Sequence, residues 1–429
     1  MFIEQLKNAD SLVNNITMIW KLSSEPDLQK LRSAIKRTIK RHAILHASFF
    51  LMNGEVYQKL NNLNVDILTV QQDGRTLGTI ISELIHPYNL SIPPLYKVII
   101  VQAGDGTSTV IFDLHHIVTD GTSNVILMKE IQCLYQKGTL TALDKDYIDY
   151  VKWQQEFKEN QVVQDQKMYW MKQFEQPLPK LHRKNGNAGG NNVKATLYND
   201  RITEEEYFIL KEISVAYKAS IFNVLLTVFM IVLSKINHNQ DVTVGVPVSG
   251  RERSPSEGVV GPFINTLALR NQIHPNHSFA EILGQVKQNS LEAFKNQDYP
   301  FDELIQFLNQ QNGYQESYIR SLFIYQNMTA ASDSVTYPLE DYQVYFHHQS
   351  NYDLSFEATP VKNSLQLRLI YKNSCYSQEE VVEAVQRIHE VIDVLHDTAK
   401  QKQPVNVFLS FGETEGAAAL DTDEIYFDF

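Results

Sequence analysis

Two adjacent histidines, followed at a fixed spacing by an aspartate and a glycine, are the residues best placed to do chemistry. They lie in His115-His116-Ile117-Val118-Thr119-Asp120-Gly121, directly after the strand-like run of Val110, Ile111, Phe112 and Leu114. A strand sends successive side chains to opposite faces, so only one histidine of the pair can face a cleft between lobes. An imidazole titrates near pH 6.5, which suits proton transfer. Asp120 opens the next helix, where free backbone N–H groups and the helix dipole favour a carboxylate. Gly121 permits a tight approach and is expected to resist any side chain. The plainer alternative makes both histidines strand-end groups and Asp120 only a helix cap.

A second pair, His347-His348, tests the value of that spacing. Its aspartate, Asp353, lies one residue too far along and no glycine follows, so the pair reads as a strand end. The chain has no G-x-S-x-G, Walker loop, H-E-x-x-H or G-x-G-x-x-G. The remaining histidines lack ligand spacing and no metal is expected. Trp153 and Trp170 read as core or interface.

The elements that must position the histidines follow from periodicity. Leu28, Leu31, Ile35, Ile39 and Ala43 share one face, predicting an amphipathic helix over 27–46 with Ser24 and Asp27 as caps and Pro26 in its first turn. Strands are predicted over 95–101 and 108–114, joined by a hairpin turn at 103–106. A helix over 120–137 turns Val125, Met128, Ile131 and Leu134 inward and stops at Gly138. Helices are predicted over 203–216 and 220–236, the second buried all round, then a strand over 241–248 and a closing helix over 378–399. The Gly- and Asn-rich stretch near 179–194 reads as a connector between two lobes.

Composition bounds the partners. The 429 residues are 43% apolar, and 38 Lys and Arg face 50 Asp and Glu for a net charge of −12. That balance argues against a general nucleic-acid binder. The last 17 residues hold six acids and no base, beside Ile425, Tyr426, Phe427 and Phe429. Two distant cysteines, Cys133 and Cys375, suit a reducing compartment rather than a disulfide framework. No secretory signal is visible, and the longest apolar run, 225–236, is too short to span a bilayer. A cytoplasmic protein without membrane contact is expected.

With these residues in view, the chain resembles a condensation domain of nonribosomal peptide synthetases, in the chloramphenicol-acetyltransferase-like superfamily. HHIVTDG matches the family's HHxxxDG, and Arg41-His42-Ala43-Ile44-Leu45-His46-Ala47-Ser48-Phe49 resembles RHExLRTxF. Tyr147 to Trp153 resembles YxDFAxW, with the pair Tyr169-Trp170 following where expected. Val260-Gly261-Pro262-Phe263-Ile264-Asn265-Thr266 resembles IGxFVNT, with Arg270 beyond it, and Asn296 to Asp302 resembles HQDYPFE. Leu322 to Asn327 resembles the family's LFxxxxxQN stretch. Departures are His46 for an arginine, Asn296 for a histidine, Asp302 for a glutamate, and no counterpart of the opening SxAQxRxW stretch ahead of MFIEQL.

The resemblance implies an α/β fold of two chloramphenicol-acetyltransferase-like lobes forming a V-shaped pseudo-dimer around a central tunnel. Its expected divisions are an N-terminal lobe (1–178), an inter-lobe linker (179–194), a C-terminal lobe (195–412) and an acidic tail (413–429). It implies an acyltransferase that joins a carrier-bound acyl or peptidyl thioester to the amine of a carrier-bound acceptor. Substrates would ride on the 4'-phosphopantetheine of donor and acceptor carrier proteins, with no cofactor bound by the chain itself. His116 is then catalytic, as base or as positioner, with His115, Asp120, Gly121 and Arg41 supporting the site. Asp120 is implied to pair with Arg41, while Asn265 and Ser249 are candidates for the tunnel wall. A releasing domain using a free nucleophile and a non-catalytic gating or docking module of the same fold are the alternatives. The tail is expected to be either solvated or a motif for a docking domain on a partner subunit.

Overall fold

The order of elements in the first half is α1 (Phe2–Lys7), β1 (Asn15–Leu22), α2 (Leu28–Arg41), β2 (Ala47–Met52), β3 (Glu55–Leu60), β4 (Leu68–Gln71), α3 (Leu77–Leu84), β5 (Tyr96–Gln102), β6 (Ser108–His115), α4 (Gly121–Lys137), α5 (Tyr147–Lys158) and α6 (Gln161–Gln173). A computed structural model describes residues 1–22, 26–178, 193–252, 256, 258–312, 319–326 and 339–408. Most of the connector, residues 179–192, and the acidic tail lie outside the described residues, as does Ser24.

The helix expected over 27–46 stops at Arg41. Asp27 caps it, accepting from the N–H groups of Gln29 and Lys30, so Pro26 precedes the cap rather than joining the first turn. His42 leaves helical geometry because its ring is drawn to Glu130 on α4 at 2.8 Å, and Ala43–His46 form a separate 3-10 turn. α4 follows the prediction. Asp120 caps it and Gly138 closes it in the left-handed region at φ 77°, where glycine carries no side-chain penalty. Leu127, Met128, Ile131 and Leu134 are its buried apolar face, with Leu127 in the place expected for Val125.

The second half runs β7 (Ala195–Ile202), α7 (Glu204–Ala216), α8 (Ile221–Ile236), β8 (Asp241–Val248), β9 (Asn265–Gln272), α9 (Phe279–Lys295), α10 (Phe301–Asn312), β10 (Ser321–Tyr325), β11 (Leu339–Tyr345), β12 (Leu354–Val361), β13 (Ser364–Lys372), α11 (Gln378–Val394) and α12 (Val405–Phe408). α7 and α8 lie in the predicted spans, whose first residues, Thr203 and Ser220, prove to be their caps, and α8 is buried from Asn223 through Ser234. No single described helix is long and apolar enough to cross a membrane. α11 ends at Val394, short of 399, where the buried side chain of Gln401 turns back to donate to the Leu395 carbonyl at 2.6 Å.

Two sheets carry these elements, ordered β11-β1-β6-β5-β4 and β7-β13-β12-β10-β8-β9, with β2 and β3 as a separate hairpin. The first sheet stacks Trp20, Phe112 and Leu114 under α2 and α4, and the second packs Phe323 and Phe356 against Phe229 of α8. Each such side chain contributes about 1.5–3 kcal/mol on burial. One strand crosses between the halves. β11, from the stretch expected to lie wholly in the second lobe, pairs antiparallel with β1, setting Thr17 opposite Tyr345. The histidine-bearing β6 is thereby a central strand, flanked by β1 and β5.

Candidate active site

Strand β6 ends on His115, and His116 opens the 3-10 turn His116–Val118 that follows. His115 is fully buried. Its Nδ1 accepts the N–H of Ile117 at 3.0 Å, so the ring proton sits on Nε2 and is donated to Gln5 Oε1 at 3.1 Å. Burial, then the neighbouring His116 and the chain's amino terminus, lower its pKa to about 3. His115 is therefore a neutral brace. Gln5, the buried residue of α1, also accepts from Asn14 Nδ2 at 3.3 Å, and nothing in the sequence pattern singled it out.

His116 has a different environment. Its backbone N–H donates to the Asn14 carbonyl at 2.7 Å, which fixes the main chain of the loop. Its Nδ1 is buried and has no hydrogen-bond partner among the described residues. A buried polar atom left unpaired costs about 1–3 kcal/mol. The described residues therefore leave this nitrogen without the compensation that a buried polar atom normally finds.

Asp120 joins the histidine loop to the second half. One carboxylate oxygen accepts from the Ser123 N–H at 2.7 Å and from Arg251 Nη2 at 3.1 Å. The other accepts from Arg251 at 3.2 Å and from the Phe263 N–H at 3.1 Å. Arg251 also donates to the carbonyls of Ser256 and Val259 and lies 3.9 Å from the Phe263 ring centre. Ser123 Oγ bonds the backbone of Gly261, and Val260 enters the core of the first half. A Cβ at Gly261 would lie 2.1 Å from the Tyr147 ring, so only glycine admits this crossing. The segment between β8 and β9 is thus buckled onto the histidine loop.

Two expectations are corrected here. Arg41 does not reach Asp120; its Nε bonds Glu130 at 3.0 Å, sharing that carboxylate with His42. Glu130 lies about nine residues, or roughly 14 Å of helix, beyond Gly121, so α2 abuts the middle of α4 and not its start. Gly121 does not need to be glycine for packing. It is exposed, and a Cβ there would find no atom within 4 Å.

The remaining candidates divide as follows. Ser249 is exposed just past β8. Asn265 spends its amide on the loop ahead of α10, donating to the Gln297 and Tyr299 carbonyls at 2.8 Å each and accepting from the Phe301 N–H at 3.0 Å. His347 stands just beyond β11, its Nε2 2.6 Å from Thr17 Oγ, and burial lowers its pKa to about 4. Among the described residues no three His, Cys, Asp or Glu side chains converge to hold a metal.

Two α/β lobes buckled through the loop that follows a strand-end histidine pair define an acyltransferase-like architecture. The family model for the condensation domain matches residues 1–415, and the chain belongs to that family. It is 27% identical to tyrocidine synthase 3 of Brevibacillus parabrevis over 98% of this chain, and 28% identical to surfactin synthase subunit 1 of Bacillus subtilis, also over 98%. It spans only 7% and 12% of those relatives' own lengths. Among solved structures, the condensation domain of the monacolin K polyketide synthase MokA superposes with a TM-score of 0.77 at 18% identity, covering 94% of this chain and 96% of that one. The X-domain from teicoplanin biosynthesis gives 0.80 at 17% identity, covering 92% of each. At these identities the superpositions speak to fold.

Two predictions follow from the geometry. Asp120→Ala and Arg251→Ala should each destabilise the protein by about 3–5 kcal/mol, because each strands a buried charge. In a double-mutant cycle by urea unfolding, Asp120 should couple to Arg251 by about 1–3 kcal/mol and be additive with Arg41→Ala within about 0.5 kcal/mol. Coupling to Arg41 instead would refute the latch. The second concerns acid. Unfolded His115 takes up a proton below pH 6.5 but the folded residue only near pH 3, so its stabilising share falls as pH drops between those values. His115→Gln should flatten the loss of stability between pH 6 and pH 4.5 by up to about 1.4 kcal/mol per pH unit; an unchanged slope would mean His115 is not held neutral.

Proposed function

We propose that this chain condenses an acyl or peptidyl thioester with an amine, both carried on the phosphopantetheine arms of donor and acceptor carrier proteins. The observation that carries the reading is the His116 ring, whose buried Nδ1 has no partner among the described residues, beside a His115 locked neutral. In the reaction the amine nitrogen attacks the thioester carbonyl, the C–N bond forms and the C–S bond breaks. The amine proton ends on the departing thiolate. An α-amino group with a pKa near 8 keeps a usable neutral fraction near neutral pH, so an imidazole can act by holding the nucleophile as well as by removing its proton.

The test is intact-protein mass spectrometry of transfer between a loaded donor carrier and an aminoacyl-loaded acceptor carrier. Wild type should form product, and folded His116→Ala should be slower by about 10²–10⁴-fold. Equal transfer by both proteins would remove His116 from the chemistry.

The acidic, aromatic stretch 413–429 is read as a docking segment for a partner subunit. Its deletion should weaken transfer between separate subunits while leaving transfer from freely supplied carriers unchanged. Equal rates in both settings would remove the docking role.

A further inference from the structure

Strand β6 carries a carboxylate inside the sheet. Asp113 is fully buried, lies two residues before His115 and so shares its face, and takes no part in the chemistry above. It is saturated by donors from separate segments. Thr17 Oγ, on β1, donates to Oδ1 at 2.5 Å. The Tyr88 hydroxyl, from the loop before β5, and Asn15 Nδ2 donate to Oδ2 at 2.7 and 2.9 Å. Because the Thr17 proton points to Asp113, the 2.6 Å contact behind it is donated by His347, which follows the crossing strand β11. Tyr88 in turn presents its ring edge-on to His115, centroids 6.2 Å apart.

Such a group does not serve stability alone. Burial pushes the Asp113 pKa up to about 6, against the hydrogen bonds of Thr17, Tyr88 and Asn15 and the charge of Lys97. Ile111, two residues earlier on the same face, belongs to an apolar cluster and shows that a hydrocarbon suits this side of the sheet. What a saturated carboxylate adds is register. A one-residue slip of β6 against β1 would turn Asp113 to the other face and strand its donors. His116 depends on that register, since its Nδ1 has no partner among the described residues and its main chain is set by Asn14, next to Asn15.

We propose that Asp113 is a positioning residue for the condensation step: with Thr17 and His347 it fixes the register of the strand end that presents His116. The inference rests on the function proposed above. The test uses the full chain and the carrier-based assay with Asp113→Leu, Thr17→Val and Asp113→Asn. The asparagine is isosteric, and Asn15, whose Oδ1 is unpartnered, can turn its amide to suit it. For Asp113→Leu and Thr17→Val, kcat per folded molecule should fall about 10–100-fold, with KM within about twofold of wild type. The His116 imidazole resonances should shift or broaden, and Asp113→Asn should recover most of the rate.

A merely structural group would lower the folded fraction but leave kcat per folded molecule and the His116 resonances unmoved. That result in folded Thr17→Val overturns the proposal, and Thr17→Val decides the matter if Asp113→Leu does not fold. Absence of product from wild type across the carriers defeats the proposed function instead, and the His116 resonances still report on positioning.

Discussion

The Asp120 carboxylate is the point through which the two halves meet. It caps α4, accepts the guanidinium of Arg251 and accepts a backbone N–H of Phe263, with both groups nearly buried. Charges removed from water are retained only where geometry and further hydrogen bonds offset their desolvation, and here four donor contacts do so. The same carboxylate lies four residues beyond His116, so the loop holding the candidate catalytic ring and the segment crossing from β8 are one mechanical unit. This makes Asp120 more than a cap, and gives its place in HHxxxDG a physical reason distinct from contact with substrate.

The histidine pair divides its work by burial. His115 has both ring nitrogens engaged, one by a backbone N–H and one by Gln5, and is held neutral by its surroundings. That removes a positive charge that would otherwise compete with an incoming amine beside it. His116 keeps a ring nitrogen without a partner among the described residues. The paired histidines are thus different groups, one a fixed support and the other unpaired, and the change from strand to 3-10 turn between them is what separates them.

Local structure was legible because its causes are local. Asp120, Thr203 and Ser220 each cap the helix that their position predicted, and Gly138 ends α4 as expected. The departures come from distant partners. His42 ends α2 because it reaches Glu130, and Gln401 ends α11 by folding back on Leu395. Motif resemblance located the histidine loop, but the partner of Asp120 is 131 residues away at Arg251, in a segment whose spacing carries no signal by itself. Gly121 is a related case. Its place in a motif suggested a tight approach, and the described residues leave the space beside it open.

That open space bears on how the site works. A glycine whose missing side chain contacts nothing in the protein is not explained by the fold, whereas Gly261, against the Tyr147 ring, is. Gly121 follows Asp120 at the start of the helix after the His116 loop, and it faces solvent. Amide formation from a thioester and an amine needs orientation of two reactants more than strong basicity, because the orientational term alone can supply several kcal/mol of the barrier. A rigidly presented imidazole meets that need. The buried polar network behind it, from Gln5 through Asn14 and Asn15 to Asp113, is where the fold accepts costs that a purely apolar sheet would avoid.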